Sequence, residues 1–264
     1  MRVVDLPAGH AVLGDSTSQE AIELALELCG GQVPLITADP PYGNVLPDGW
    51  DRWQGTDDDF AYWMVLWSDL WSCALLPNAA LYVWGGVGQP GFRPFFRYLT
   101  RVEVETNLRL ANLITWKKRR AYGVQHNYLF TREECAYLIN GPDVKKPRCF
   151  NVPLLEEKRG YAGYDERYPA KSDFYRRSNV WTDITEVMRG KVHPAQKAQR
   201  TAEVPIEVHT QPGEWVIDPF AGSGTTALAA TKLGRRFVVF ERDESTFETM
   251  VQRILVKGQA PEVG

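Results

Sequence analysis

Short apolar runs and helix-period stripes alternate along the chain. Two runs within residues 2–13, around the Ala8-Gly9 turn, read as strands. Thr17-Ser18-Gln19-Glu20 has the form of a capping box, with a helix continuing through 21–28 and stopping at Gly30-Gly31. Val33-Pro34-Leu35-Ile36-Thr37-Ala38 is a short apolar run and predicts a buried strand. Phe60, Trp63, Met64, Trp67, Leu70 and Trp71 recur at three- and four-residue spacing, which predicts an amphipathic helix over 58–76 with its tryptophan stripe in the core. Strands are expected at 81–84, 113–116 and 135–139, with a helix over 90–101 between the first two. Pro194 at a first helical position predicts a helix over 195–208. Residues 214–218 and 236–240 read as strands, each followed by a helix, over 227–233 and 244–256. Strand, helix, strand in succession predicts βαβ units and a parallel sheet.

Composition narrows the class without changing this outline. A chain of 264 residues, 44% hydrophobic and 24% charged, is expected to form one large globular domain, with or without an insertion. No stretch is long and apolar enough to span a bilayer, and the first residues lack the apolar region of a signal peptide, so a cytoplasmic location is expected. Cys29, Cys73, Cys135 and Cys149 form no C-x-x-C pair, which argues for free thiols and against a zinc site. A net charge of −3 excludes a protein that coats nucleic acid indiscriminately. The balance is uneven, however. Residues 144–191 hold eleven Lys and Arg against seven Asp and Glu, interleaved with aromatics, which suits a nucleic-acid surface, a solvated loop insertion being the alternative. Lys145, Lys146, Arg148, Arg176 and Arg177 are the candidate contacts there.

Two constellations carry candidate chemistry. Asp39-Pro40-Pro41-Tyr42-Gly43 follows the 33–38 run. Two prolines forbid a helix, so an acidic side chain and an aromatic ring sit on a stiff corner at a strand's end, where ligands bind in open α/β sheets. An ordinary strand-terminating turn has the same ingredients. The two tryptophans Trp50 and Trp53 beyond it suit either a lid or a hydrophobic cover. The second constellation joins a strand ending at Asp218 to a helix through Pro219-Phe220-Ala221-Gly222-Ser223-Gly224-Thr225-Thr226, and Glu241 ends the next strand. That resembles a nucleotide-binding half-unit, in which the glycines would admit a ligand and Glu241 would accept from two ribose hydroxyls. The F-x-G-x-G spacing differs from that of a dinucleotide fingerprint and suits a cofactor without a pyrophosphate.

The ordered set resembles an amino-group DNA methyltransferase of the β arrangement. In that family D-P-P-Y comes first, then a target-recognition region, then H/N-P-x-Q-K, then D-x-F-x-G-x-G-T-T. This chain has Asp39 to Tyr42, residues 144–191, His193 to Lys197 and Asp218 to Thr226 in that order, with Leu13-Gly14-Asp15-Ser16 ahead of them. Lys197 is followed by Ala198 where the family often has proline. The resemblance implies an α/β, Rossmann-like, circularly permuted S-adenosylmethionine-dependent methyltransferase fold, its mostly parallel sheet covered by helices on both faces. Residues 1–143 would be the catalytic half, 144–191 the recognition insertion and 192–264 the cofactor half. It further implies methyl transfer from S-adenosylmethionine to adenine N6 in DNA, on a flipped base, with no metal. Asp39, Pro40, Pro41 and Tyr42 would be catalytic. Asp15, Lys197, Asp218, Phe220, Ala221, Gly222, Ser223, Gly224, Thr225 and Glu241 would hold the cofactor. Cytosine-N4 methylation is the nearest alternative, and a non-catalytic DNA-binding protein on the same fold the next. A homodimer and a cognate restriction enzyme are the partners the family suggests beside DNA.

Overall fold

The computed structural model describes residues 1–43, 51–86, 88–123, 125–158, 172–187 and 196–258. Its elements in chain order are β1 Arg2–Leu6, β2 Gly9–Leu13, α1 Gln19–Cys29, β3 Val33–Ala38, α2 Asp57–Ser72, β4 Leu75–Gly85, α3 Gly88–Glu105, β5 Leu108–Tyr122, β6 Phe130–Asn140, β7 Leu154–Lys158, β8 Phe174–Arg176, β9 Val180–Trp181, α4 Arg200–His209, β10 Trp215–Asp218, α5 Thr225–Lys232, β11 Arg236–Glu241 and α6 Glu244–Lys257. Nine strands form one mixed sheet in the order β1-β2-β11-β10-β3-β4-β6-β5-β9, while β7 and β8 pair separately. The strands β2, β11, β10, β3 and β4 run parallel. β6 is antiparallel to β4 and β5.

Each face of the sheet has its own core. On one, Ala21 and Ile22 of α1, Phe60, Met64, Trp67 and Trp71 of α2 and Phe95 and Tyr98 of α3 pack on Val33, Ile36 and Leu81. On the other, α4, α5 and α6 supply Ile206, Val208, Ala227, Phe247 and Met250. The tryptophan stripe of α2 is core, as its spacing predicts: Trp67 and Trp71 are fully buried. From β10 the chain leaves through α5 to β11 on one side of the sheet order; from β3 it leaves through α2 to β4 on the other side. The helices of these two crossovers lie on opposite faces. The C-terminal ends of β10 and β3 therefore flank a topological switch point, where α/β sheets open a crevice.

Several expectations need correction. The α1 cap is Ser18, whose side chain accepts from the Ala21 N–H. Thr17 instead donates to Asp15, so the four residues 17–20 are not a capping box. α2 has the box, with Thr56 at the cap and Asp59 reaching back. Helix α4 starts at Arg200, later than proline placement suggests, because residues 196–199 run into the site without joining the helix. Residues His193, Pro194 and Ala195 lie outside the described residues, as do Trp50 and the basic and aromatic residues between 159 and 171.

The described parts of the basic segment are tied to the main sheet at both ends. The segment's start is held by Arg148 N–H to Asn78 and Asn151 N–H to Val208. At its end, β9 joins the main sheet beside β5, Trp181 packs on Trp84, and the Trp116 indole N–H donates to the Ile184 carbonyl. Among the described residues no helix is long and apolar enough to cross a membrane, and no cluster of potential metal ligands occurs. The four cysteines are free, and burial pushes the Cys29 thiol up to about 12.

Candidate active site

Four acidic residues stand at the C-terminal ends of four neighbouring parallel strands: Asp15 after β2, Glu241 on β11, Asp218 on β10 and Asp39 after β3. The apolar runs of these strands bury themselves and leave the first polar residue beyond each one at the crevice. The Asp39 corner is braced by Asp51, a fully buried carboxylate whose Oδ1 accepts the backbone N–H groups of Tyr42 (2.6 Å) and Gly43 (3.0 Å).

Asp39 belongs to a compact charged cluster. Lys197 Nζ lies 2.7 and 2.8 Å from the two carboxylate oxygens of Asp39, 2.6 Å from the Tyr42 hydroxyl and 2.5 Å from Glu133 Oε1. An ammonium has three N–H donors, and three side chains take them. The Tyr42 hydroxyl faces Asp39 Oδ1 at 2.7 Å and also Glu133 Oε1, and Lys118 pairs with Glu133 Oε2. Two carboxylates and two ammonium groups balance, so the buried charge is compensated within the cluster. Burial by itself would lift the Glu133 carboxyl, but Lys197 and Lys118 outweigh it and hold it at about 2. Burial likewise opposes the Lys197 charge, yet Asp39 and Glu133 keep the ammonium above the ordinary lysine range. Burial and the two carboxylates push the Tyr42 phenol well above its usual value, which keeps it a donor. Trp84 completes the wall, with Lys197 Nζ 5.2 Å from its ring centre.

Across the crevice, the loop after β10 is built for close approach. Gly224, at φ +77°, caps α5; a Cβ there would meet Met250 Cγ at 2.8 Å. Gly222, at φ +50°, has open space where a Cβ would project, so the loop leaves a backbone-lined cradle. Glu241 Oε2 accepts the Gly222 N–H at 3.0 Å, while Oε1 accepts from Asp243 N–H. Asp218 is buried beneath the loop, where its oxygens accept from the Phe220 N–H and the Thr226 hydroxyl; burial raises its carboxyl to about 7 despite both bonds. Trp67 and Trp63 meet the Phe220 ring edge-on, with centroids 5.1 and 6.1 Å away. Arg253 of α6 grips the loop from behind through the Ser223 carbonyl and hydroxyl. Open space at Gly222 beside an acidic acceptor fits a neutral or cationic ligand carrying hydroxyl donors, as the ribose of an adenosyl cofactor would offer.

The structure thus brings Asp39, Pro40, Pro41 and Tyr42 to one lip of the crevice and Phe220, Ala221, Gly222, Ser223, Gly224, Thr225 and Glu241 to the other. Asp15 is held by Thr17 on the Glu241 side, where the Gly14 N–H donates to the Glu241 carbonyl. Lys197, expected beside the cofactor, stands on the Asp39 lip. Trp53 packs on Phe60 and Trp63 as a cover over the aromatic core. Of the expected DNA contacts, Arg177 is corrected: its guanidinium is buried and doubly bonded to Asp183 at 2.6 and 2.7 Å. Arg148 is committed to Glu214 at 2.7 Å. Lys145, Lys146 and Arg176 remain exposed. Glu133, Lys118 and Arg253, and the bracing role of Asp51, were not evident from the chain alone. Glu133 leaves one trace: paired acids at 133–134 stand directly before the apolar run Cys135–Ile139 within β6, and acids are seldom buried unless paired.

A glycine loop and an acidic corner on adjacent parallel strands, in this chain order, define the class: a Rossmann-like, circularly permuted methyltransferase fold with a mixed sheet and flanking helices. Residues 33–252 match the model of the family described as DNA methylase, and the chain belongs to that family of amino-group methyltransferases, acting on N6 of adenine or N4 of cytosine. The type II methyltransferase M.BamHI of Bacillus amyloliquefaciens is 26% identical over 257 residues, covering 89% of this chain and 56% of that relative. The chain spans little more than half of that relative's length. Among solved structures, the M1.HpyAVI–SAM complex is 22% identical with a TM-score of 0.63, covering 92% of this chain and 98% of that one. The cytosine-N4-specific PvuII DNA methyltransferase is 16% identical with a TM-score of 0.68, covering 97% and 88%.

Proposed function

We propose that the protein transfers the methyl group of S-adenosylmethionine to the exocyclic N6 amine of adenine in DNA. The observation that carries the reading is the Asp39 corner facing the Gly222 cradle across the switch-point crevice. When bound, the cofactor supplies an electrophilic methyl group on a sulfonium. Its placement in this chain is supported by the cradle, by Glu241, and by a fold neighbour described as a complex with the same molecule.

The amine needs help, because its lone pair is delocalised into the base. The Asp39 carboxylate and the Pro40 carbonyl each accept one N–H, which localises the lone pair and aims it. Lys197 holds both Asp39 oxygens in the structure, so an entering amine must displace one contact. Glu133 and Tyr42 keep the ammonium in place while that happens. After transfer the nitrogen sheds a proton, and Asp39 stands ready to take it. The base reaches the corner only when flipped from the stack. The rate gain rests on positioning and preorganised polar groups.

Two predictions probe the lips separately. Gly222→Leu fills the cradle, and calorimetry should show S-adenosylhomocysteine binding weakened by about tenfold or more, a loss of at least ~1.4 kcal/mol. Unaltered affinity would remove the cradle from the cofactor site. Lys197→Met should leave that affinity unchanged and slow turnover by about 10²-fold, the scale of a misplaced catalytic group. If cofactor affinity falls with turnover undisturbed at saturation, Lys197 serves the cofactor and the arrangement above is wrong.

Asp before Pro-Pro-Tyr favours adenine N6. The fold similarity to a cytosine-N4 enzyme over 97% of this chain keeps N4 as the second reading. Methylating genomic DNA in vitro and mapping modified bases by single-molecule sequencing separates the two. N6-methyladenine in a defined context is expected, and N4-methylcytosine would select the second reading. No modified base from protein that binds the cofactor would refute both.

A further inference from the structure

The β5–β6 hairpin rises directly from the active site. Within it Trp116 pairs with Glu133 in register, and Lys118 on β5 bonds the same Glu133 that holds Lys197 and Tyr42. Beyond that rung, residues 117–132 contain five Lys and Arg and no Asp or Glu, in a chain whose net charge is −3. Lys117, Arg119 and Arg120 are exposed, and none of their side chains meets a carboxylate among the described residues. The acids nearby are committed elsewhere: Glu134 to Arg132 and Thr115, Glu133 to the cluster, and Glu186 to the backbone N–H groups of Arg119 and Arg120. Glu186 thereby ties β5 to the segment after β9 and steadies the root of the hairpin. At the tip, Tyr128 is 92% exposed and Leu129 is 63% exposed, side by side. An adjacent, largely exposed aromatic–aliphatic pair at the end of a cationic hairpin is a small apolar patch rimmed by charge, the form an interaction site takes.

We propose that this hairpin, more than the 144–191 segment, grips DNA: Lys117, Arg119 and Arg120 on backbone phosphates, with Tyr128 and Leu129 as the wedge that fills the stack where the target base leaves it. The proposal rests on the DNA-methyltransferase reading and names the surface that serves it. Three features point to DNA. The unpaired cations match a polyanion. The apolar tip matches the side chains that other proteins insert between base steps. Continuity through Lys118 and Glu133 puts the phosphates beside the corner that must receive the flipped base.

Anisotropy titrations of a fluorescein-labelled mixed-sequence duplex across a range of salt concentrations test the grip. The triple variant Lys117→Ala, Arg119→Ala, Arg120→Ala should lower the slope of log K against log salt by about 2.7, near 0.9 per lost phosphate contact. Lys145→Ala with Lys146→Ala and Arg176→Ala should change it less. Tyr128→Ala with Leu129→Ala should leave the slope alone and slow methyl transfer to native duplex by several-fold. Calorimetry with S-adenosylhomocysteine confirms that each variant is folded. A wild-type slope in the hairpin variant, or a larger loss from the 145/146/176 variant, overturns the grip, and wild-type transfer by the tip variant overturns the wedge. Wild-type protein that methylates DNA in those same assays keeps the functional reading intact. Wild-type protein with no salt-dependent DNA binding takes down both together.

Discussion

Asp39→Asn should abolish methyl transfer and spare the cofactor. The substitution is nearly isosteric, so it isolates charge and acceptor capacity. An ionised Asp39 offers only acceptors, to Lys197 in the resting site and to the amine during the reaction. Asparagine replaces one acceptor with an NH2 group, which then faces either the Lys197 ammonium or the amine it should hold. Both are donor-to-donor contacts. It also leaves the two ammonium groups with one carboxylate, so Lys197 is drawn to Glu133 and away from the corner. Losing one preorganised polar group of this kind costs about 10²–10³ in turnover, and losing the proton acceptor as well extends that to about 10⁴. The cradle at Gly222 and the Glu241 acceptor belong to other strands and should be untouched. Single-turnover transfer of labelled methyl, with S-adenosylhomocysteine calorimetry alongside, reads both halves. Transfer at the wild-type rate would end the assignment of Asp39 as the group that grips the amine.

What could be read from the chain follows locality. The 33–38 run gave β3 to the residue, because a short apolar run bounded by Gln32 and Asp39 has few alternatives. The Asp39 corner and the glycine loop were legible for the same reason: proline and glycine fix backbone at their own positions. Glu133 was not legible, because its partners Tyr42 and Lys197 are brought to it by strand pairing and by an extended segment before α4. Lys197 was visible as a motif residue, but its side of the crevice depends on tertiary contact alone. The basic segment misled in a different way. A summed charge treats every cation as free, whereas Arg177 is neutralised by Asp183 six residues on and Arg148 by Glu214 across the fold. The more concentrated cationic stretch, 117–132, falls between the strands expected at 113–116 and 135–139, although four basic residues in a row begin it.

Glu133→Ala should be the most destabilising single change in the site, and its cost should depend on pH. The wild-type carboxylate is 2% exposed and sits between Lys197 and Lys118. Removing it leaves two ammonium groups with only Asp39 as counter-charge, and breaking a buried pair this way costs about 3–5 kcal/mol. Truncation to alanine also removes methylene packing, which does not titrate. pH separates the two parts. Glu133 has a folded-state value of about 2, below the ordinary range near 4.5. A depressed acid contributes stability above its unfolded value and loses it as pH falls through the folded one. The gap between wild type and Glu133→Ala should therefore be full at pH 7 and shrink from about pH 4.5 towards pH 2. Glu133→Gln should fall between them at neutral pH, since it keeps the shape and loses the charge. Urea midpoints for the three proteins at several pH values supply the measurement. A wild-type–alanine gap that stays constant from pH 7 to pH 3 would mean that Glu133 acts by filling space, and that the ammonium groups beside Asp39 are held by something else.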